Sequence, residues 1–292
     1  MKLGLGTVQF GLDYGISNQQ GKTSANEAEK ILAVAACNGM RVLDTAALYG
    51  GSEDMLGQLL PPEHDFNVVT KTPKFSAASI TERDAKQLED TFYQSLTKMR
   101  QNSIYGLLVH HADDLLSLNG NLLFEKMKQL KEKGLVQKVG VSVYNAEQID
   151  GILAKYQIDL IQLPVNVLDQ RLLRTGCLGQ LKRQGIEIHV RSAFLQGLLL
   201  TEPHALSSYF EKIKAHLQGY RQFITKQNLT PVQAALGFVL AQDEVDSVVC
   251  GVNNCQQLSE ICQQIKQPMS FEGFEQFALD DENILNPAKW RL

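Results

Sequence analysis

The sequence predicts an α/β protein in which eight strand–helix units close into a single (β/α)8 barrel of the TIM type. Three observations lead there. Short apolar runs alternate with amphipathic stretches along the whole chain, the pattern of a parallel sheet. Eight such units can be counted, and eight units in about 250 residues is the size of a closed barrel. No composition shift or low-complexity segment divides the 292 residues, so one domain over 1–292 is expected. An open, doubly wound sheet is the alternative, because periodicity does not tell a closed sheet from one with edges.

Residues 3–10 are apolar with interspersed glycines and read as the first strand. A loop rich in glycine and asparagine follows over 11–22. Ser24, with Glu27 three positions on, offers a capping box. Ile31, Leu32 and Ala35 continue an apolar stripe that Asn38-Gly39 ends. The second unit is strand 42–44 with helix 52–60, closed by Pro61-Pro62. The third is strand 66–71 with the long amphipathic helix 81–100. Strand 105–110 leads to helix 121–133, which Gly134 stops. Strand 138–142 precedes helix 146–156, and strand 160–163 precedes helix 172–184, with Gly185 at its end. Strand 187–191 is followed by a helical region over 205–227. A second helix opens at Thr230-Pro231, with proline at the first helical position, where it is tolerated. Strand 245–250 and helix 255–264 complete the eighth unit.

Composition narrows the function classes. The hydrophobic share of 44% is ordinary for a globular chain with a large core. A net charge of −4 without blocks of like charge argues against a nucleic-acid partner. No apolar run approaches the roughly 18 residues that span a bilayer, so no membrane partner is expected. The start, Met1-Lys2-Leu3-Gly4-Leu5-Gly6, lacks the pattern of a signal peptide. The five cysteines (Cys37, Cys177, Cys250, Cys255, Cys262) include no Cys-x-x-Cys pair, and reduced thiols in a cytoplasmic protein is the plain expectation.

Three consecutive strands each end on a titratable side chain: Asp44, Lys71 and His110, with Tyr49 shortly after the first. Active sites of such barrels lie at the C-terminal ends of the strands. Neighbouring strands are about 5 Å apart, so these side chains can converge. Polar residues at strand ends are common singly; three on consecutive units, with a tyrosine beside them, favour a reaction site. A tyrosine, with an unperturbed pKa near 10, is a poor acid at neutral pH. The ammonium of Lys71 would lower that value, and Asp44 would keep Lys71 charged. His110 would hold a substrate oxygen or share the proton. The set suits protonation of an oxygen becoming an alkoxide, or the reverse step, and such redox chemistry needs a hydride carrier.

With these residues in place, the chain resembles the aldo-keto reductase family over essentially its full length. The resemblance rests on Gly4-Leu5-Gly6-Thr7, Leu43-Asp44-Thr45-Ala46 with Tyr49-Gly50, Thr70-Lys71 and Leu108-Val109-His110. Val139-Gly140-Val141-Ser142, Ile161-Gln162-Leu163-Pro164-Val165-Asn166 and Gly251 before the last helix add to it. It implies an NAD(P)-dependent oxidoreductase that reduces an aldehyde or ketone to an alcohol, or the reverse. Tyr49 would be the general acid, Lys71 and Asp44 its tuning pair, and His110 the substrate-orienting residue. Ser142 and Gln162 would meet the nicotinamide carboxamide, with Val143 where an asparagine is frequent. Arg191 stands where many members place a tyrosine under the nicotinamide, and a guanidinium can also stack on a planar ring. Thr7 joins the implied cofactor contacts, and Gln196 and Gly197 fall in the loop that would pass the pyrophosphate. Gly251, Val252, Asn253, Gln257 and Glu260 form the implied adenosine-phosphate turn, where free N–H groups attract anions. Many NADP-preferring members carry a lysine and an arginine where this chain has Gly251 and Gln257, which predicts weak discrimination between NADP(H) and NAD(H). The expected partner is a small carbonyl or alcohol molecule, and the expected state a monomer or weak homo-oligomer.

Other readings weigh less. A nicotinamide-binding regulatory or accessory protein of the same fold is the second function, and a phosphate-handling barrel lyase or isomerase the third. Gly4-Leu5-Gly6 lacks the third glycine of a dinucleotide fingerprint, Gln9 standing there instead. His110-His111 with Asp113-Asp114 looks metal-like, but adjacent strand residues point to opposite sides, so no metal is expected. His111 and Val8 replace common pocket tryptophans. Phe10, Tyr14 and Trp290 are candidates for pocket or lid.

Overall fold

The computed structural model describes residues 1–16, 18, 20–75, 78–266 and 269–291, so Ser17 and Gln19 of the expected 11–22 loop lie outside the described residues. Eight strands pair in chain order, every pair parallel. They are β1 (Leu3–Gly6), β2 (Val42–Asp44), β3 (Asn67–Lys71), β4 (Ile104–Val109), β5 (Val136–Ser142), β6 (Leu160–Pro164), β7 (Glu187–Arg191) and β8 (Ser247–Gly251). Leu3 to Gly6 pair with Val248 to Gly251, so the last strand returns to the first and the sheet closes. That pairing excludes the open-sheet alternative.

The main outer helices are α1 (Ala25–Cys37), α2 (Ser52–Leu59), α3 (Glu82–Met99), α4 (Asn121–Glu132), α5 (Ala146–Leu153), α6 (Cys177–Arg183), α7 (Lys214–Lys226), α8 (Pro231–Leu240) and α9 (Cys255–Gln264). Their starts follow their caps. Thr81 and Asp84 form a complete capping box on α3, and Thr230 with Gln233 does the same on α8, whose first residue is Pro231.

Side chains alternate between the two faces of a strand, and this decides what sits in the barrel. Val42, Val69, Leu108 and Leu160 form a small buried cluster of their own. Two residues further along the same four chains come Asp44, Lys71, His110 and Gln162. The apolar plug therefore lies beneath the polar groups, on the same face. The far larger cluster fills the space between strands and helices, from Leu3 to Leu285.

Four expectations are corrected. The first strand ends at Gly6, and Val8–Gly11 is a helical turn rather than its continuation. The expected helix 172–184 is two pieces, Arg171–Arg174 and α6, because Gly176 adopts a left-handed φ of 69° between them. The region 205–227 is helical only in part: two 3-10 turns, Pro203–Ala205 and Ser208–Ile213, precede α7. At α1, Ser24 accepts from the Glu27 N–H as expected, but Glu27 does not return the bond; its carboxylate goes elsewhere.

Candidate active site

The strand register brings the polar ends together at one rim. Asp44 lies opposite Gly6 and Val69, Ser142 opposite Gln162, and Arg191 opposite Pro164. Lys71, 1% exposed, donates to both carboxylate oxygens of Asp44 and to the Thr45 carbonyl, each at 2.8 Å. Its fourth polar neighbour is the Tyr49 hydroxyl, at 3.4 Å. Its Nζ also lies 4.8 Å from the centre of the Tyr49 ring. Burial alone would pull the Lys71 pKa down, but the charges of Asp44 and Tyr49 outweigh it and hold the pKa above its usual value. The ammonium is therefore a fixed positive charge under the phenol.

Tyr49 answers the expectation of a lowered pKa with a correction. Burial of the phenol raises its pKa, Lys71 lowers it, and burial is the larger effect. The hydroxyl is thus fully protonated at neutral pH, and Lys71 stands ready to stabilise the phenolate left when the proton departs.

His110 packs edge-on to Tyr49, with ring centres 5.8 Å apart, and stacks on His111 at 4.9 Å. Burial, then the charge of Lys71, press the His110 pKa down from 6.5 to about 3, so the imidazole is neutral. Its Nδ1 is buried without a partner, which leaves Nε2 as the nitrogen to meet a ligand.

The turn carrying Tyr49 is locked from below. The Thr7 hydroxyl donates to the Asp44 carbonyl at 3.0 Å and shares a hydrogen bond with Ser52 Oγ at 2.8 Å. Ser52 Oγ donates to the Thr7 carbonyl and meets Thr45 Oγ1 at 3.0 Å. The Gly11 α-carbon lies hard against this turn: a Cβ there would sit 1.7 Å from the Tyr49 carbonyl oxygen.

One cavity of about 690 Å³ opens above these groups, well within the range of small-molecule sites. Every site residue expected from the sequence borders it except Lys71, which lies beneath. Each has a definite state. The hydroxyl of Thr7 is spent on the knot just described. Gln162 is buried and donates Nε2 to Asp44 Oδ1 at 2.7 Å, so Oε1 is what it can offer a ligand. Ser142 is buried beside it. Arg191 lays its guanidinium 4.2 Å over the Tyr144 ring and donates to the Val143 carbonyl and Ser192 Oγ.

The loop after β7 holds three non-glycine residues at positive φ, Ser192 (65°), Leu195 (47°) and Gln196 (52°). Such strain persists only where surroundings impose it. Asn166 supplies one restraint by donating to the Ser192 carbonyl. Tyr14 and Ile16 supply another: the Ile16 N–H donates to the Gln196 carbonyl, and Gln196 Nε2 donates to the Tyr14 hydroxyl. Gly197 follows in the same turn. At the other end lie Gly251, Val252, Asn253 and, on α9, Gln257 and Glu260. Gln257 Oε1 accepts from the Asn253 N–H at 2.9 Å.

Of the pocket candidates, Tyr14 and Val8 border the cavity. Phe10 is fully buried in the core, and Trp290 packs on Phe210 in the outer shell. Sequence reasoning missed Gln9, Tyr144 and Asn166 as parts of this site. Gln9 is 8% exposed, its Oε1 has no partner, and it borders the cavity. No strand period could have found it, because Gln9 lies in the helical turn Val8–Gly11 beyond the end of β1. Asn253 Oδ1 is likewise buried and unpartnered. Orphaned polar atoms strung along a long cavity fit a ligand with many donors and acceptors, as a dinucleotide has. Among the described residues no cluster of His, Cys, Asp and Glu is arranged to hold a metal, and no helix is long and apolar enough to cross a membrane.

Comparison with known proteins bears on the family and the fold. The family model described as "Aldo/keto reductase family" matches residues 2–278. An uncharacterized oxidoreductase of Bacillus subtilis, YqkF, is 25% identical over 282 residues, covering 89% of this chain and 85% of its own. The aldo-keto reductase str7 of Strobilurus tenacellus is 25% identical over 256 residues, covering 81% of this chain and 76% of its own. Among solved structures, the holo form of the aldo-keto reductase AKR11C1 from Bacillus halodurans superposes with a TM-score of 0.74 at 22% identity. That superposition covers 94% of this chain and 90% of the other, and is a likeness of fold.

Proposed function

The chain belongs to the aldo/keto reductase family, and from that premise we propose that it reduces an aldehyde or ketone to an alcohol, or runs the reverse, with Tyr49 as proton donor and acceptor. The observation that carries this reading is the Lys71 ammonium, wholly buried, paired with Asp44 and 3.4 Å from the Tyr49 hydroxyl at the floor of the cavity. A nicotinamide, when bound, supplies the hydride. Ser142 and the free Oε1 of Gln162 would hold its carboxamide, Arg191 would flank the ring, and the strained turn around Gln196 and Gly197 would take the pyrophosphate. Gly251, Val252, Asn253, Gln257 and Glu260 would receive the adenosine end.

The protein's own part is proton handling and placement. A substrate carbonyl oxygen above Tyr49 receives the phenol proton as negative charge grows on it. The phenolate that remains is stabilised by Lys71, whose charge Asp44 preserves. Neutral His110 donates from Nε2 to the same oxygen and selects where the carbonyl sits. Tyr14, Tyr144 and Val8 wall the cavity, and its buried floor excludes water from the reacting oxygen.

The test uses cofactor deuterated on the transferring face and a panel of small aldehydes and ketones. Deuterium arriving on the carbinol carbon supports the reading. Nicotinamide binding without turnover of any substrate supports an accessory protein instead. No binding of either nicotinamide leaves an anion-binding barrel of another chemistry.

A further inference from the structure

The groups around Tyr49 carry one positive charge that nothing neutralises, and it belongs to Arg191. Among the described residues that border the cavity, Arg191 is the one lysine or arginine. The other cation at this end, Lys71, lies beneath and is matched by both oxygens of Asp44. Of the carboxylates on the cavity wall, Asp44 is engaged in that pair. Glu260 stands on α9 at the far end, where it accepts from Gln256.

Arg191 makes no ion pair with a described residue. Nη1 donates to Ser192 Oγ at 3.3 Å, Nη2 donates to the Val143 carbonyl at 3.0 Å, and the Tyr144 ring covers one face at 4.2 Å. All three partners are neutral, so they fix the guanidinium without reducing its charge. A guanidinium also keeps its proton at any working pH. The mount is itself held, because the Val143 N–H donates to the Gln162 carbonyl at 2.9 Å and Asn166 donates to the Ser192 carbonyl.

The strand register gives this charge its place. His189 lies opposite Gln162, and Arg191, two residues further along β7, shares its face. The guanidinium therefore stands one step above the layer in which Gln162 donates to Asp44. After burial and Lys71, Arg191 is among the charges that act on the pKa of Tyr49 and of His110. A ring that passes hydride to the carbon whose oxygen takes the Tyr49 proton must lie in this same end of the cavity. Loss of the hydride leaves that ring with a positive charge that the dihydro form lacks. Like charges held close in a partly buried site repel strongly enough to change affinity by tenfold or more.

We propose that Arg191 sorts the two redox states of the nucleotide: its unpaired guanidinium tolerates the neutral dihydronicotinamide and repels the pyridinium, so the protein holds the reduced form and releases the oxidised one. This deepens the function proposed above and rests on it. By thermodynamic linkage, the potential of the bound couple rises by about 30 mV for each tenfold of preference. The arrangement suits a protein that keeps reduced nucleotide in place for a carbonyl, rather than one that loads oxidised nucleotide to take hydride from an alcohol.

Calorimetric titration of the full-length protein at neutral pH with NADH and NAD⁺, and with NADPH and NADP⁺, tests this on the pair that binds tighter. The wild type is expected to bind the reduced form at least about tenfold tighter than the oxidised form. Arg191→Gln, whose amide keeps a donor for the Val143 carbonyl, is expected to cut that ratio about tenfold by tightening the oxidised form. Arg191→Lys separates charge from shape and is expected to keep a ratio near that of the wild type. Equal affinities for the two forms in the wild type overturn the proposal. So does an Arg191→Gln variant that weakens both forms alike, since Arg191 would then be a stacking surface only. An Arg191→Lys variant with the ratio of Arg191→Gln overturns it too. Each of these results leaves carbonyl reduction standing. Binding of no nicotinamide nucleotide by the wild type removes that reading itself, and this proposal with it.

Discussion

At the scale of single residues, the site works by setting charge states through burial. Lys71 keeps its proton because Asp44 compensates a burial that would otherwise strip it. His110 has no such partner, and burial with Lys71 nearby leaves it neutral. This has a consequence for stability. Its folded pKa of about 3 lies below the ordinary 6.5, so unfolding takes up a proton between these values. The contribution is fully present above 6.5 and is lost as pH falls toward 3. His110→Gln should therefore show a shallower fall in melting temperature between neutral pH and about pH 4 than the wild type does. Parallel curves for the two proteins would mean that His110 titrates normally. Arg191 acts differently: its guanidinium already rests on Tyr144, so whatever it offers a cofactor is its remaining surface.

At the scale of elements, the position of Tyr49 is a packing result. The helical turn Val8–Gly11 presses on the turn Tyr49–Gly50, and only a glycine at 11 leaves room. Gly11→Ala should push Tyr49 away from Lys71 and cut turnover by about a hundredfold, a usual result of roughly 1 Å misplacement. Gly39→Ala is the control. Its φ is 71° with nothing within 4 Å of an added Cβ, so the left-handed backbone alone should cost about 1–2 kcal/mol of stability and leave turnover intact. Elements were also where sequence legibility varied. α9 and β7 match their expected bounds, because caps and periodicity there are local. The first strand was overextended because Val8 and Phe10 look strand-like, yet Phe10 belongs to the core outside the barrel. The break at Gly176 was hidden by the apolar positions on both sides of it. Asp44, Tyr49, Lys71 and His110 were readable because each ends or follows a strand. Gln9 and Tyr144 were not, since each comes to the cavity from a loop or turn whose course only the fold reveals.

At the scale of the whole molecule, the two ends of the barrel do different work. The C-terminal rim carries the proposed reaction groups, and the N-terminal end is tied by a polar cluster. Glu187 accepts from the Tyr105 hydroxyl at 2.6 Å, pairs with Lys138 and meets His189 Nε2 at 2.6 Å. Burial raises the Glu187 pKa, but hydrogen bonds from His189, Lys138 and Tyr105 win and bring it from 4.5 to about 2. A depressed carboxyl pKa stabilises the fold above 4.5 and loses that contribution as pH falls toward 2. Glu187→Gln should lower unfolding free energy by about 2–3 kcal/mol, less than the roughly 3–5 of a fully buried pair because Lys138 is a third exposed. Nucleotide binding at the opposite rim should be unchanged, which titration of the same variant would show.

The central claim is that Tyr49 delivers the proton in a nicotinamide-dependent carbonyl reduction. Tyr49→Phe keeps the ring against His110 and removes only the hydroxyl that faces Lys71. The measurement is steady-state reduction by wild type and variant, with nucleotide affinity determined on the same samples. The expected result is a fall in turnover of about 10²- to 10⁴-fold with nucleotide affinity unchanged. Turnover within a few fold of the wild type would contradict the assignment.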